Sequence, residues 1–320
     1  MLAHAPDMPK GFAWLDKEPE FNPARHLALE APELVESLSD FGYSAEEIAQ
    51  CPSDFAVSSI FRVLSDEGAA CLLDVCQQLS AFTTSNARIS RNTRGGVYRS
   101  KFLRDLCLSE DVTDFMSQIA GITLLPHSIR HQLGHLNYNP FEVGQNVDKW
   151  HVDTLRYDYV MFVTDPTEVV GGEFQYFKGT KHEMAAFKEA GQEVPASRII
   201  SPAMPGPGYA IMQQGNMVVH QAKGLREAGE RITMVNGYVA ADARIDDFTR
   251  YDQLRLVDPS DVVTSEFAQH HAQLAQRLVA QAGFVDDKAT HIQNLRKAAQ
   301  RLLAVADEIE QTNEGQLDHY

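Results

Sequence analysis

The sequence predicts a mainly β core flanked by helices, on three observations. Between residues 123 and 240, the short segments IRHQLGHLNY, YDYVMFVT, GEFQYF, YAIMQQ, MVVH and ITMVNGYVA are rich in strand formers. Turn signals separate them: Asn139-Pro140, Gly171-Gly172 and the PGPG at 205–208. On either side, apolar residues recur at helical spacing instead. Many short strands with close turns point to a sandwich or jelly roll.

In chain order, residues 1–54 read as a helical or irregular stretch, with short helices over 31–41 and 45–49. FAVSSIFRVL, residues 55–64, reads as a strand handing over to a helix. Ser65 caps DEGAACLLDVCQQL, and two acids stand in the first turn of that helix. Residues 83–100 lack apolar periodicity and hold Gly95-Gly96, which predicts a loop or mobile hairpin; a second helix follows over 101–120. The β domain with its leading helices is placed at 55–250. A C-terminal helical extension is placed at 258–312, two helices separated by Gly283 that brace the barrel or form a homodimer contact.

The 44 acidic residues outnumber the 28 basic ones, for a net charge of -16. Such a surface repels phosphate backbones and anionic membranes, so neither nucleic acid nor membrane is an expected partner. No basic, then apolar leader opens the sequence, and no stretch approaches the ~20 apolar residues of a membrane span. A cytoplasmic location is expected. Cys51, Cys71, Cys76 and Cys107 show no CxxC spacing and read as free thiols in a reducing compartment.

The chemistry lies in Lys149-Trp150-His151-Val152-Asp153-Thr154. On a strand, His151 and Asp153 point to one face and can share an ion. His220, at the end of MVVH, supplies a third ligand. Two histidines and a carboxylate form a facial triad that leaves three positions open on ferrous iron. A keto acid such as 2-oxoglutarate takes two and oxygen the third. Arg231 and Thr233, two apart on RITMV, offer a guanidinium fork and a hydroxyl to its remaining carboxylate.

With these residues the sequence resembles the iron(II)/2-oxoglutarate oxygenase superfamily: HVD, then GYAIMQQGNMVVHQAKGLREAGERIT, over roughly residues 55–240. The opening strand and helix look like phytanoyl-CoA-dioxygenase-like members, and YNPFEVGQNVDKWHVD looks like the prolyl-hydroxylase-like branch. The resemblance implies a double-stranded β-helix, cupin-like, with iron(II), 2-oxoglutarate and oxygen as cofactors. It implies hydroxylation or a related oxidation of an unactivated C–H, with release of succinate and carbon dioxide. Asp153 stands where halogenating relatives have Gly or Ala, which favours hydroxylation. Tyr138 and Gln132 are placed with 2-oxoglutarate; Arg156, Tyr157 and His135 are placed with the substrate. Two other readings stay open: a cupin-like iron oxygenase that does not use 2-oxoglutarate, and a non-catalytic jelly-roll binding protein.

Other signals have plainer readings beside them. His127, His131 and His135 recur every four residues, but on a strand that interval spans ~13 Å, too far to share a metal. Residues 88–104 hold five arginines, one lysine and no acid. Arg94 and Arg99 would meet a small anionic or amino-acid-like substrate; the alternative is a solvated basic segment facing acidic surface. His270 and His271 read as exposed helix residues. The plain reading of Arg231 is a surface salt bridge to Glu227 or Glu230.

Overall fold

The computed structural model describes residues 8–86, 88–284 and 287–312. Six strands come first: β1 (Leu27–Glu30), β2 (Val35–Ser37), β3 (Phe55–Ser58), β4 (Phe61–Leu64), β5 (Asn92–Thr93) and β6 (Leu124–Pro126). Eight more follow: β7 (His135–Tyr138), β8 (Asp148–His151), β9 (Tyr157–Phe162), β10 (Phe174–Phe177), β11 (Ile199–Ile200), β12 (Tyr209–Gln213), β13 (His220–Ala222) and β14 (Ile232–Ala240).

The larger sheet runs β1-β4-β12-β9-β14-β7-β5, and the smaller runs β11-β10-β13-β8, every pairing antiparallel. From β7 onward the chain passes back and forth between the sheets. β7, β9, β12 and β14 lie in the larger; β8, β10, β11 and β13 lie in the smaller. That winding is a double-stranded β-helix, the expected jelly-roll core. The period of two along a strand divides the burial. On β9, Tyr157, Tyr159 and Met161 enter the core under the helices, while Val160 and Phe162 enter the core between the sheets.

Helices cover the larger sheet: α1 (Pro23–His26), α3 (Asp66–Leu79), α4 (Lys101–Cys107) and α5 (Glu110–Ala120), while the short α2 (Ala45–Ile48) packs through Ile48 on the core between the sheets. Ser65 caps α3 as expected, its Oγ accepting from Gly68 N at 3.0 Å, and Leu72, Val75, Cys76 and Leu79 form the buried stripe. The expected helix over 101–120 is two helices, because Ser109 caps a new one at Val112 N. The expected helix over 31–41 is instead β2 and a 3-10 turn, and residues 55–64 divide into β3 and β4. Only β7 is strand within 129–138; a 3-10 turn at Arg130–Gln132 precedes it.

The remaining helices are α6 (Lys181–Glu189), α7 (Tyr251–Val257), α8 (Ser260–Ala280) and α9 (Lys288–Gln311). Neither α6 nor α7 was anticipated. The C-terminal pair braces the barrel: Val263 and Phe267 of α8 pack with Tyr251 and Leu254 of α7, with Val305 of α9, and with Ile129 from the turn before β7. Tyr98 also donates to Glu266 of α8. Among the described residues, no helix is long and apolar enough to cross a membrane. All four cysteines are free.

Candidate metal centre

β8 and β13 pair with His151 opposite His220, which brings the two rings to 4.2 Å between centroids. Asp153 follows β8, its N–H donating to Gly215 O at 2.9 Å. Its carboxylate lies 3.2 Å from His220 Nε2 and 3.5 Å from His151 Nε2. The other ring nitrogen of each histidine meets a backbone carbonyl: His151 Nδ1 reaches Lys149 O at 2.6 Å, and His220 Nδ1 reaches Val218 O at 2.9 Å. A carbonyl only accepts, so Nδ1 carries the hydrogen in both rings. Each Nε2 lone pair is then turned toward Asp153. Metal-binding histidines are held this way, with the outer nitrogen fixing the tautomer.

Burial opposes the charge on Asp153, and the positive neighbour that favours it is Arg88, whose Nη2 lies 3.5 Å from Oδ1. Burial also lowers His151, keeping it neutral as a ligand must be. Asp158, on β9, is pushed well up by burial and by the charge of Asp153. It accepts from Gln213 Nε2 at 3.0 Å. Gly215 is required here: a Cβ would lie 2.3 Å from Asp158 Oδ2 and 2.6 Å from Asp153 Oδ2.

Arg88 grips Asp148 through Nε and Nη2, at 2.8 and 2.7 Å, and reaches Asp153 Oδ1 at 3.5 Å. The sequence showed Arg88 only as one charge in a basic loop; nothing local marked it as the neighbour of the metal carboxylate.

Arg231 is 1% exposed, and no salt bridge forms with Glu227 or Glu230. Glu230 instead accepts from Gln77. The guanidinium lies 5.0 Å over the Phe162 ring, gives Nε to Gly172 O at 2.7 Å and Nη1 to Thr233 Oγ1 at 3.3 Å, and leaves Nη2 buried without a partner. Burial lowers its pKa to about 10, so it remains charged. An unpartnered buried donor of this kind is costly unless a ligand completes it.

One cavity of about 90 Å³ joins these groups. His151, Asp153 and His220 line it together with Arg231 and Thr233. Arg94, Gln132 and His135 form a further wall, and Gln253, Leu254 and Val257 of α7 close it. At the Arg94 wall, Nη1 donates to Gln132 Oε1 at 2.5 Å and Nε lies 3.3 Å from Asp258 Oδ1. Gln132 also donates to Asp258.

Four expected contacts are corrected. Tyr138 shares a strand face with Leu136, not with His135 and Asn137, and its hydroxyl donates to Cys76 O at 2.7 Å in the core. Tyr157 is turned into the same core, toward Ser53 Oγ at 3.1 Å; its neighbour Asp158 faces the cavity. Arg156 donates to Asp246 O at 2.9 Å and lies over Phe248. Arg99 stacks on Phe12 and Phe82 and donates to Gly11 O at 3.2 Å. The basic loop therefore divides, with Arg88 and Arg94 turned inward and Arg99 outward.

His270 and His271 are buried, not exposed. His127, Asp247 and His270 form a second cluster of metal-ligand types. Its hydrogen bonding differs. His127 Nδ1 accepts from Ile129 N at 3.2 Å, so Nε2 carries the hydrogen and donates to Thr249 Oγ1 at 3.0 Å. No lone pair is left on that ring for an ion. Its rings are also stacked face to face, 4.5 Å apart and 19° from parallel. This cluster is a polar lock between α8 and the barrel.

Fold and site together define a double-stranded β-helix carrying a two-histidine, one-carboxylate constellation beside a buried, unsatisfied arginine. No protein-family model matches the sequence. No curated protein matches it either. Solved structures do. EctD from S. alaskensis, solved with 2-oxoglutarate and 5-hydroxyectoine, is similar at 16% identity over 74% of this chain and 89% of that one, with a TM-score of 0.45. SnoN, a non-heme alpha ketoglutarate dependent epimerase from nogalamycin biosynthesis, is similar at 14% identity over 57% and 78%, TM-score 0.42. The non-heme monooxygenase ThoJ is similar at 14% identity over 79% and 94%, TM-score 0.43.

Proposed function

We propose that this chain is an iron(II)- and 2-oxoglutarate-dependent dioxygenase that hydroxylates an unactivated C–H of a small anionic or amino-acid-like molecule. The observation that carries it is the Nη2 of Arg231, buried and unpartnered in the cavity that also holds the ligand set. A metal site alone gives no reason for that guanidinium. A dicarboxylate with one end on the metal does. The donor set fits iron(II): two imidazoles whose outer nitrogens are fixed by backbone carbonyls, and one carboxylate.

His151, Asp153 and His220 would hold the iron; Arg231 and Thr233 would bind the C5 carboxylate of 2-oxoglutarate. When bound, iron, 2-oxoglutarate and oxygen supply the oxidant that takes a hydrogen from the substrate and returns a hydroxyl, with succinate and carbon dioxide as by-products. The protein's part is positional. Leu254 and Val257 keep water from the chamber. Arg94 lines the chamber, held by Gln132 and by Asp258 behind it, and its charge suits a carboxylate on the substrate. His135, neutral because burial and the nearby arginines lower it, lines the same space. A ferrous centre and four free thiols suit a reducing compartment, and the cytoplasm is the proposed location.

The test is anaerobic titration of the apo-protein with ferrous iron and 2-oxoglutarate, following the visible metal-to-ligand charge-transfer band. The wild type gives the band, Asp153→Ala loses it, and Arg231→Ala needs more 2-oxoglutarate to reach it. Iron binding without any band would leave a cupin-like oxygenase that does not use 2-oxoglutarate; absence of iron binding would leave a binding protein.

A further inference from the structure

α9 carries two apolar stripes. Asn294, Ala298 and Val305 face inward. On the outward side Ile292, Leu295, Leu302 and Leu303 are 37%, 55%, 43% and 66% exposed, and Ala299 and Ala306 are exposed between them. Positions 292, 295, 299, 302 and 306 alternate intervals of three and four, the spacing of a helix that seats another helix. At 100° per residue, Lys288 and Glu310 fall on the same stripe, one at each end, and both are exposed. Each stands eleven residues from Ala299, so the stripe reads alike under reversal with opposite charges exchanged.

We propose that this stripe is the contact between two copies of the chain, with α9 lying antiparallel on its counterpart about a two-fold axis at Ala299. In that register Lys288 faces Glu310 of the other copy, Leu295 faces Leu303, and Ile292 faces Ala306. Ala299 meets itself, small enough for the helices to approach closely. The occupant follows from charge. A chain at -16 repels its copy over most of its surface, so self-contact needs a locally balanced patch. This stripe has one: Lys288 and Arg296 toward its start, Asp307 and Glu310 toward its end. Parallel pairing would set lysine on lysine and glutamate on glutamate. Antiparallel pairing sets each Lys288 on a Glu310 and makes an isologous interface.

The experiment is sedimentation velocity on the full chain over a concentration series. The wild type sediments at twice the 35.6 kDa of one chain. Leu295→Glu with Leu303→Glu gives the single-chain mass at every concentration with an unchanged circular dichroism melt, since both residues are exposed. Lys288→Glu and Glu310→Lys each weaken association about tenfold, and the double reversal restores it. Ala299→Cys cross-links to itself under oxidation beyond the wild-type background, whereas Leu302→Cys, facing Arg296, does not. A wild type at single-chain mass throughout, association that survives the glutamates, or cross-linking at 302 in preference to 299 overturns the proposal.

Discussion

Gly215→Ala tests how closely the main chain supports the metal carboxylate. The added methyl would sit 2.3 Å from Asp158 Oδ2 and 2.6 Å from Asp153 Oδ2, about 1 Å inside ordinary carbon–oxygen contact. The glycine cannot withdraw easily, because its carbonyl accepts from Asp153 N at 2.9 Å, tying the two segments together. The carboxylates must turn instead. Overpacking of this kind costs about 1–3 kcal/mol of stability. Loss of ligand orientation should lower iron(II) affinity about 10- to 100-fold. The assay is anaerobic iron(II) titration by calorimetry, paired with a thermal melt. Gly206→Ala, whose new Cβ would meet nothing within 4 Å, serves as the control and should change neither. A folded Gly215→Ala that binds iron(II) as the wild type does would refute the reasoning.

Arg231→Leu should leave iron(II) affinity unchanged and weaken 2-oxoglutarate about 10- to 100-fold, the worth of a buried charge-assisted bond; equal affinity would remove the arginine from the cosubstrate site. Burial depresses His127 to about 3 and His271 to about 4, from an ordinary 6.5. The unfolded chain therefore takes up protons that the folded one refuses, so stability is full above about pH 6.5 and falls as the pH drops toward 4. His127→Gln should be less stable than wild type at about pH 7.5, from its lost bonds, yet lose less on acidification; parallel urea-stability curves against pH would refute this. Phe267→Ala empties the contact among Tyr251, Leu254 and Val305 and should cost about 3–5 kcal/mol by denaturant titration. A cost below about 1 kcal/mol would mean that α7 is not held by this packing.

The metal constellation was legible because its signals are local and additive: an H-x-D at strand spacing, a histidine closing an apolar strand, and an R-x-T beyond it. Arg231 was found for the same reason. Substrate contacts fared less well, and parity explains two of the failures. Tyr138 is three residues from His135, so the two cannot share a strand face; Tyr157 is one residue from the cavity-facing Asp158. Arg156 lies in the bend before β9, where no period applies. Arg88 and Asp258 are distant in sequence from their partners, and a charge alone does not say which acid it will meet. His270 and His271 look polar on an amphipathic helix; only a structure shows the barrel wall that buries them. The element boundaries at 101–120 moved for a local reason, Ser109, which interrupts an apolar pattern that continues across it.

The order in which the chamber is built has a consequence for synthesis. His151, Asp153, His220 and Arg231 all precede residue 240, whereas Gln253, Leu254 and Val257 belong to α7, held in place by Phe267 of α8. A chain emerging from the ribosome therefore has its ion-binding groups long before it has its roof. Any metal taken up in that interval sits in a bowl open to water and to reductants. Closure of the chamber thus rests on the helices made last, α7 and the α8 that holds it.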